Sequence, residues 1–343
     1  MEHFASCFAI GDRRIGPMHP CFVIAEAGVN HFGSMEKACA LIDLSVRAGA
    51  DAVKFQHFKT DRLVGASAPD WRERLRSKEL PDDDILRLRD YAKGQGIMFL
   101  CTGHDEEALD FLDRTVGVPA FKIGSGEVGN WPWLKEIAKR GKPIILSTGM
   151  YGIEDVNAAT RAIAEGGESR LSLLHCVTSY PTDPKDANLS AIAQLKAIFN
   201  GPVGYSDHTV GTAVPLAAVA LGARVIEKHI TLDRDVPNAQ DWKVSCDAES
   251  FPRFVTEIRE VEAALGGAVK APTQAERKSV AWARKSLSAR SDIPAGTVLT
   301  QGHLLAQRPG NGIPPSQESS LIGRKVRFDI SEGTQLTFEM LES

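Results

Sequence analysis

The sequence has little of what marks membrane, secreted or nucleic-acid-binding proteins. It has no apolar run long enough to cross a bilayer, and its N-terminal residues, MEHFASCFAIGDRRIG, lack the apolar core and cleavage site of a signal peptide. The formal net charge of −4 is too small to indicate binding to nucleic acid or to a membrane surface. The six cysteines show neither CxxC pairing nor zinc-site spacing. We therefore expect a soluble, cytoplasmic protein with reduced thiols, with disulfides as the secondary alternative.

Eight short apolar runs, each ending in polar or ionisable residues, are the main positive feature. They are FVIAEAG (22–28), DAVKFQ (51–56), MFLCTG (98–103), AFKIGSG (120–126), PIILSTG (143–149), LSLLHCV (171–177), VGYSDH (203–208) and RVIEKHI (224–230). Such runs are typical of strands buried on both faces of a parallel sheet. Helix-like segments separate them, so the sequence predicts an α/β fold, a (β/α)8 TIM barrel, with its chemistry at the C-terminal ends of the strands.

The length of the chain predicts a second domain, because eight βα units use only about 250 residues. We expect a barrel domain over residues 1–267, a linker over 268–285 and a small β-rich domain over 286–343, in which DIPAG and ISEGT form turns. A module of about 60 residues is at the lower limit of independent stability. The long polar insert between the second and third runs is expected to form a lid or one wall of the site.

Two histidines and an aspartate suggest a metal site. His208 and His229 end the seventh and eighth predicted strands, which are neighbours in a barrel, and Asp241 lies in the loop after the eighth. Two imidazoles and a carboxylate can bind a divalent transition metal and leave positions open for substrate. The alternative is that each histidine is a satisfied core or loop residue. Their placement on adjacent strand ends favours the metal.

Two lysines at strand ends suggest an anion site. Lys54 and Lys122 are each flanked by apolar residues, where an ammonium group is costly unless it is paired with an anion. The hydroxyls of Ser125, Ser147 and Ser206 and the glycines of GSG and STG add donors that suit a phosphate. The alternative is an internal salt bridge from Lys54 to Glu26 or Glu227, and the two interpretations are compatible.

Several long motifs resemble those of the bacterial sialic acid synthase family. They are IAEAGVNHFGS, AGADAVKFQ, PAFKIGSGE, KPIILSTGM, LLHC with a following YP, VGYSDHT and ALGARVIEKHITLDR. The tail, with AQRPGNGIPP and GRKV, resembles the family's C-terminal antifreeze-like (SAF) domain, so the resemblance covers nearly the whole chain. Their number and order make the resemblance specific. It implies a transferase that condenses phosphoenolpyruvate with an N-acetylated mannose-type sugar and releases phosphate by C–O cleavage.

The resemblance also implies a role for each matching residue. His208 of SDHT and His229 of EKH match metal ligands, usually for Mn²⁺, with Mg²⁺ or Co²⁺ as alternatives. The positions that match phosphoenolpyruvate-binding residues are Lys54, Thr102, Lys122, Ser125, Ser147 and Ser206. The positions that match sugar-binding residues are Glu26, Gln56 and Tyr180. The general base is either Glu26 or Asp241 acting through a metal-bound water.

The C-terminal module carries one further match. Arg308 of RPGNG matches an arginine that the SAF domain inserts into the partner subunit's site, over the N-acetyl group of the sugar. The resemblance therefore implies a homodimer in which each C-terminal domain caps the other subunit's barrel. The linker is long enough to allow such an exchange.

Departures from the family pattern fall on the sugar side. CTGH replaces the usual STPF, so His104 stands where an aromatic residue is common; Thr178 stands where some members have Asn; and NAQD (238–241), followed by Trp242, replaces PGPD. We therefore expect His104 and Thr178 to contact the sugar. We favour the N-acetylneuraminate synthase type, with N,N'-diacetyllegionaminate synthase as the alternative.

Two more distant alternatives remain. Octulosonate or heptulosonate synthases act on phosphorylated sugars and need a second phosphate site, for which the strand ends offer no further Arg/Lys cluster. A non-catalytic ice- or glycan-binding protein would have no use for the lysines and histidines at the strand ends.

Overall fold

The chain folds into two units, Met1–Gly266 and Gly267–Ser343, each with its own apolar core. The computed structural model describes residues 3–236, 241–267 and 269–342. Residues 238–240 of the NAQD motif therefore lie outside the described residues. Within the described residues, no helix combines the length and apolar character that a membrane span requires.

A closed parallel sheet forms the centre of the first unit. Its strands are β3 (Phe22–Gly28), β4 (Ala52–His57), β5 (Met98–Gly103), β6 (Phe121–Ile123), β7 (Ile144–Ser147), β8 (Leu171–Cys176), β9 (Val203–Asp207) and β10 (Val225–His229). They pair in the order β5-β4-β3-β10-β9-β8-β7-β6, and the two end strands, β5 and β6, contact each other. The predicted (β/α)8 barrel is thereby confirmed. All strand residues of β3 and β10 are buried, as expected for strands covered on both faces.

Helices surround the sheet. They are α1 (Met35–Ala48), α2 (Thr60–Leu63), α3 (Pro69–Arg76), α4 (Asp82–Gly94), α5 (Glu106–Asp110), α6 (Trp131–Ala138), α7 (Ile153–Glu165), α8 (Ala191–Ile198), α9 (Ala213–Ala220) and α10 (Ser250–Leu265). A π-helical turn, Phe111–Val116, continues α5. Helix α1 begins and ends at residues suited to those positions. Ser34 accepts a hydrogen bond from Lys37 N at its start, and Gly49 ends the helix with φ at 74°.

The polar insert after β4 folds into α2 and α3 and is held near the barrel mouth. Thr60 N donates to Glu79 Oε1 over 2.6 Å, which ties the start of α2 to the loop after α3. Gly33, in the loop after β3, has φ at 75°, and a Cβ there would lie 2.5 Å from Ser77 O. Only glycine fits such a close backbone approach. The insert is thus anchored to the loop that follows the first barrel strand.

An N-terminal hairpin, absent from the sequence prediction, closes the opposite end of the barrel. Strands β1 (Phe8–Ile10) and β2 (Arg13–Ile15) pair in antiparallel fashion around a two-residue turn, Gly11–Asp12. Phe8, Ile10 and Ile15 are buried in a cluster with apolar barrel residues, most of which lie at or near the N-terminal ends of the strands. The interior of the barrel is therefore filled with apolar side chains at its N-terminal end.

The second unit is small and built around short β segments. It contains α11 (Gln274–Ala283), β11 (Ser286–Ala289) and β12 (Leu304–Gln307), and β11 pairs with β12 in antiparallel fashion. Single bridges such as Val326 to Leu341 join its other segments around a buried apolar cluster. The range 268–285, predicted as a linker, contains α11, whose first turn is fixed by reciprocal hydrogen bonds between Thr273 and Glu276.

Candidate active site

A cavity of about 150 Å³ lies at the C-terminal ends of the barrel strands. It is lined by the predicted residues Glu26, Lys54, Gln56, Thr102, His104, Lys122, Ser125, Ser147, Thr178, Tyr180, Ser206, His208 and His229, and also by Gly124, Gly126, Cys176 and Glu227. Of the site residues predicted in the first unit, only Asp241 is outside this lining, and it lines an adjoining outer cavity. The structure therefore brings the predicted residues together because parallel strands end at the same face of a barrel.

Two buried lysines and two buried glutamates form the charged centre of this cavity. Lys54 Nζ lies 2.7 Å from Glu26 Oε2 and 3.7 Å from Glu227 Oε2. Lys122 Nζ lies 3.3 Å from Glu227 Oε1 and donates to Ser147 Oγ over 2.9 Å. The internal salt bridge considered for Lys54 is thus present, and Glu227 bridges both ammonium groups. Balanced charges of this kind explain how such groups can be buried.

Burial and the salt bridges have opposite effects on the pKa values of these groups. Burial raises the pKa of Glu26 above its usual range, although the ammonium group of Lys54 opposes that shift. Burial would also raise the pKa of Glu227, but Lys122 and Lys54 outweigh it and hold that pKa at about 2. Burial lowers the pKa of Lys122. Glu227 therefore remains ionised, whereas Glu26 is the carboxylate better able to accept a proton.

Hydroxyl groups surround the two lysines. Lys54 Nζ donates to Thr102 Oγ1 over 3.4 Å, and Ser206 Oγ donates to Glu227 Oε1 over 2.9 Å. Ser125 Oγ accepts from Gly149 N over 2.9 Å, and a Cβ at that glycine would lie 2.8 Å from the same oxygen. Ammonium groups and hydroxyls gathered in this way can bind a phosphate or a carboxylate.

The two predicted metal ligands face each other at the ends of β9 and β10. The imidazole rings of His208 and His229 have centroids 5.5 Å apart. His208 Nδ1 is 2.7 Å from Val177 O, which can only accept, so this contact places a proton on Nδ1 and leaves Nε2 a lone pair. His229 Nδ1 is buried and has no hydrogen-bond partner within the part of the chain that the structure describes. Burial lowers the pKa of both rings, for His229 to about 3, so both are neutral at pH 7.

These residues suit a divalent cation in their chemistry. Neutral imidazoles are metal ligands, and a carboxylate lies beside them: a Cβ at Gly28, where φ is 54°, would be 3.4 Å from Asp241 Oδ2 and 3.5 Å from His229 Cε1. Among the described residues, no three His, Cys, Asp or Glu side chains form a ready metal-binding group. The two imidazoles would thus be the protein ligands, with water or substrate completing the coordination.

An outer cavity of about 1210 Å³ opens beside the inner one. The two share Gln56, Gly126, His104, Tyr180 and His229. Residues of the insert, including Arg62, Trp71 and Lys78, line the outer cavity, as expected for a wall of the site. The inner cavity is therefore continuous with a larger, partly apolar space that can hold a second and larger molecule.

The residues expected on the sugar side in the first unit line one or both cavities, with one exception. Gln56, His104 and Tyr180 line both, and Glu26 and Thr178 line only the inner one. Gln56 Nε2 donates to Glu26 Oε1 over 2.9 Å. His104 Nε2 is buried without a hydrogen-bond partner among the described residues, and burial lowers the pKa of this imidazole to about 4. Trp242 is the exception: its indole N–H donates to Val236 O over 3.2 Å, and it is not among the described residues that line either cavity.

Arg308 belongs to the second unit and is exposed there. Its Nε donates to Ala283 O over 3.0 Å, and its guanidinium lies 5.7 Å from the centroid of the Trp282 ring. The arginine is therefore held against the end of α11.

The predicted site residues did not include Cys176 or Glu227, and Glu227 was considered only as a salt-bridge partner of Lys54. Glu227 is the residue that joins the two lysines, and Cys176 Sγ lies 3.8 Å from His208 Nδ1. Both lie at the ends of barrel strands, so the strand-end position was an available signal.

Comparisons with known proteins match both units. The NeuB family matches residues 41–270, and the SAF domain matches residues 284–342. An N,N'-diacetyllegionaminic acid synthase of Legionella pneumophila is 40% identical, over 96% of this chain and 96% of its own length. The N-acetylneuraminate-9-phosphate synthase of Homo sapiens is 35% identical, over 96% of this chain and 95% of its own.

A solved structure agrees with these sequence matches. The N-acetylneuraminic acid (sialic acid) synthetase of Leptospira borgpetersenii, in complex with citrate, has a TM-score of 0.76 and 34% identity, and the match covers 82% of this chain and 97% of that one. The family predicted from the motifs is thereby confirmed. The chain belongs to the NeuB family, the nonulosonic acid synthases, and is an enzyme with a C-terminal SAF domain.

Proposed function

We propose that this enzyme condenses phosphoenolpyruvate with the open-chain form of an N-acetylated mannose-type sugar and releases phosphate. The single observation that carries the proposal is the inner cavity, which combines two buried ammonium groups and several hydroxyls with two neutral imidazoles. The cavity therefore offers an anion site directly beside a candidate metal site. Phosphoenolpyruvate offers a phosphate and a carboxylate, and the aldehyde of the sugar offers an oxygen for a cation.

Lys54 and Lys122 are proposed to hold the phosphate and carboxylate of phosphoenolpyruvate. Both ammonium groups lie within 3.7 Å of a Glu227 oxygen, so an incoming anion would share or replace that contact. The hydroxyls of Thr102, Ser125, Ser147 and Ser206 can rotate to donate to the same anion. Fixed donors around a reacting phosphate stabilise the charge that develops as the C–O bond breaks.

His208 and His229 would hold the divalent cation, for which Mn²⁺ is the first candidate. Bound there, such a cation supplies Lewis-acid polarisation of the aldehyde oxygen, which promotes attack by C3 of phosphoenolpyruvate. Attack by C3 leaves positive charge at C2, where water adds, and the resulting tetrahedral carbon loses phosphate by C–O cleavage. Glu26 is the preferred general base for that water, because its pKa is raised and Gln56 holds its carboxylate in place. Asp241 is the alternative base.

The sugar is proposed to lie across the junction of the two cavities, near Gln56, His104, Thr178 and Tyr180. Between the two sugars considered, the 6-deoxy diacetamido mannose of a legionaminate-type reaction is now the first candidate. The 40% identity with a diacetyllegionaminic acid synthase supports it. The apolar residues Phe58, Leu63 and Trp71 of the outer cavity also suit a methyl group at C6. N-acetylmannosamine, the substrate of the N-acetylneuraminate type, is the second candidate.

Two further properties complete the proposal. Two copies form a homodimer in which each SAF domain places Arg308 at the partner's barrel, and the exposure of Arg308 in its own unit supports this arrangement. The protein works in the cytoplasm, which fits its six free cysteines.

The experiment is a phosphate-release assay with phosphoenolpyruvate and a panel of unphosphorylated and phosphorylated aldoses. Release only with acetamido mannose sugars is expected, and ¹⁸O in the bridging position should appear in the phosphate if the C–O bond breaks. Release with pentose or tetrose phosphates instead would contradict the proposal. His104→Phe should change the ranking of the acetamido sugars, because altered hydrogen bonding in a pocket changes preference strongly. An unchanged ranking would remove His104 from the sugar site.

A further inference from the structure

A fully buried salt bridge lies directly behind the two proposed metal ligands. Lys228 Nζ is 2.5 Å from Asp207 Oδ2, and both side chains are 0% exposed. Asp207 immediately precedes His208, and Lys228 immediately precedes His229. The two charged residues stand opposite each other in the parallel pairing of β9 with β10. Because successive side chains of a strand point to opposite faces, this pair points away from the cavity that its strand neighbours line.

The pair is also bonded to the turn that carries His208. Lys228 Nζ donates to Thr209 O over 2.7 Å. Asp207 Oδ1 accepts from the backbone N–H and the hydroxyl of Thr209, over 3.1 and 2.9 Å. Lys228 of β10 therefore bonds to Asp207 and to Thr209, the two residues on either side of His208.

Stability alone gives little reason for this arrangement. Two charges lose their hydration on burial, and an apolar pair of similar volume is often as stable or more stable. The buried lysines Lys54 and Lys122 face the cavity, where an anionic ligand can explain them. Asp207 and Lys228 are not among the described residues that line either cavity. The residues that connect this pair to the site are the two adjacent histidines.

We infer that the Asp207–Lys228 ion pair is a positioning element that sets the separation and orientation of the His208 and His229 rings for a divalent cation. The inference rests on the metal site of the proposed function. Loss of one charge leaves the other buried without its partner, and a relative shift of the two strand ends would relieve that cost. Partners that orient metal-ligating histidines typically change metal affinity 10–100-fold when they are removed.

The experiment compares Mn²⁺ affinity, measured from the electron paramagnetic resonance signal of the free ion, in wild type and variants. Lys228→Met and the double variant Asp207→Leu with Lys228→Met should each bind Mn²⁺ about 10–100-fold more weakly. Their affinity for phosphoenolpyruvate without metal, measured by calorimetry, should stay within about threefold, since Lys54 and Lys122 are untouched. Glu168→Gln is the matched control, because it breaks the ion pair between Glu168 and Arg170. The Glu168 carboxylate is only 3% exposed, but this pair lies just before β8, away from the two histidines.

The double variant keeps the test valid if Lys228→Met does not fold, because it leaves no unpaired charge. Wild-type Mn²⁺ affinity in the folded double variant would overturn the inference, as would an equal loss in Glu168→Gln. If wild type itself binds no Mn²⁺, both the proposed metal site and this inference are wrong. The two failures are thus distinguishable.

Discussion

The phenol ring of Tyr180 lies against the imidazole of His208, with ring centroids 4.0 Å apart and planes inclined by 32°. The same phenol meets the ring of His229 nearly edge-on, at 5.9 Å and 85°. Tyr180 also lines both cavities. One aromatic side chain therefore covers both proposed metal ligands and faces the proposed sugar.

Tyr180→Phe should separate these two roles. The phenylalanine keeps the ring contacts, so Mn²⁺ affinity should stay within about twofold, while loss of the hydroxyl should raise KM for the sugar by up to about tenfold. Tyr180→Ala should weaken both. Steady-state kinetics and a Mn²⁺ titration measure the two effects. An equal loss of metal affinity in Tyr180→Phe would show that the hydroxyl, not the ring, supports the histidines.

Metal removal should abolish activity. Exhaustive chelation followed by gel filtration should leave an inactive, folded protein that Mn²⁺ restores. His208→Ala should lose at least about 10³-fold in kcat/KM, because a Lewis acid supplies several kcal/mol of transition-state stabilisation. His175→Ala is a suitable control, since His175 Nε2 is bonded to Ala187 O within the loop after β8. Full activity after chelation would mean that the two histidines serve another purpose.

Lys122→Ala should weaken phosphoenolpyruvate binding far more than sugar binding. The substitution removes an ammonium group from the anion site and leaves Glu227 with fewer cations, so the expected loss in phosphoenolpyruvate affinity is about 10²-fold. Lys142→Ala is the control, because Lys142 pairs with Asp113 outside the cavity. Calorimetry gives both affinities. Unchanged affinity for phosphoenolpyruvate would argue that Lys122 only neutralises Glu227.

Complementation tests the proposed exchange of SAF domains. His208→Ala and Arg308→Ala proteins, each nearly inactive, are mixed so that subunits exchange. In a swapped dimer both defects fall in one site and the other site is intact. Activity should recover toward about a quarter of wild type, since about half of the dimers are mixed and each has one intact site. No recovery after proven exchange would place Arg308 at its own barrel or at none.

Asp247 should contribute stability that depends on pH. Its Oδ1 accepts from Ser250 N over 2.8 Å and Glu249 N over 3.3 Å, at the start of α10. The hydrogen bond from the Ser250 hydroxyl, followed by the backbone N–H groups and Arg234, lowers the pKa of Asp247 to about 2 from 3.8. Asp247→Ala should cost about 1 kcal/mol at pH 7 in urea titrations.

The sign of the pH effect follows from the lowered pKa in the folded state. The contribution is fully present above the unfolded pKa near 3.8 and is lost as the pH falls toward 2. The difference between wild type and Asp247→Ala should therefore shrink between about pH 4 and pH 2. Asp233→Ala, which removes an exposed ion pair with Lys37, should cost less than about 1 kcal/mol. A difference that stays constant with pH would mean that the carboxylate charge adds nothing.

The barrel could be predicted because its strands combine buried apolar runs with polar residues at their C-terminal ends. The runs over 22–28 and 98–103 have the same bounds as β3 and β5. The hairpin of β1 and β2 was not predicted, because three-residue strands are too short to show a periodic pattern. Gly11–Asp12 is nevertheless a typical two-residue turn. Helix α11 was missed although Thr273 and Glu276 have the spacing of a capping box.

The site could be predicted as a set of residues but not as a set of contacts. Polar residues at strand ends converge in any closed parallel sheet, which explains why one rule located most of the lining. Which glutamate lies between Lys54 and Lys122 depends on strand register and side-chain length, so the sequence offered Glu26 and Glu227 as candidates without choosing between them. The same holds for Asp207 and Lys228, since alternation shows that they face outward but not that they meet.

The apolar plug of β1 and β2 has a kinetic consequence. Because Phe8, Ile10 and Ile15 fill the far end of the barrel, the inner cavity is a blind pocket whose described walls open toward the outer cavity. Two reactants that use one entrance must then arrive in order, with the smaller, deeper one first. A product held in the inner cavity can likewise dissociate only after the product in the outer cavity has left. Under the proposed function, phosphoenolpyruvate would bind before the sugar. The sugar-acid product would leave before phosphate.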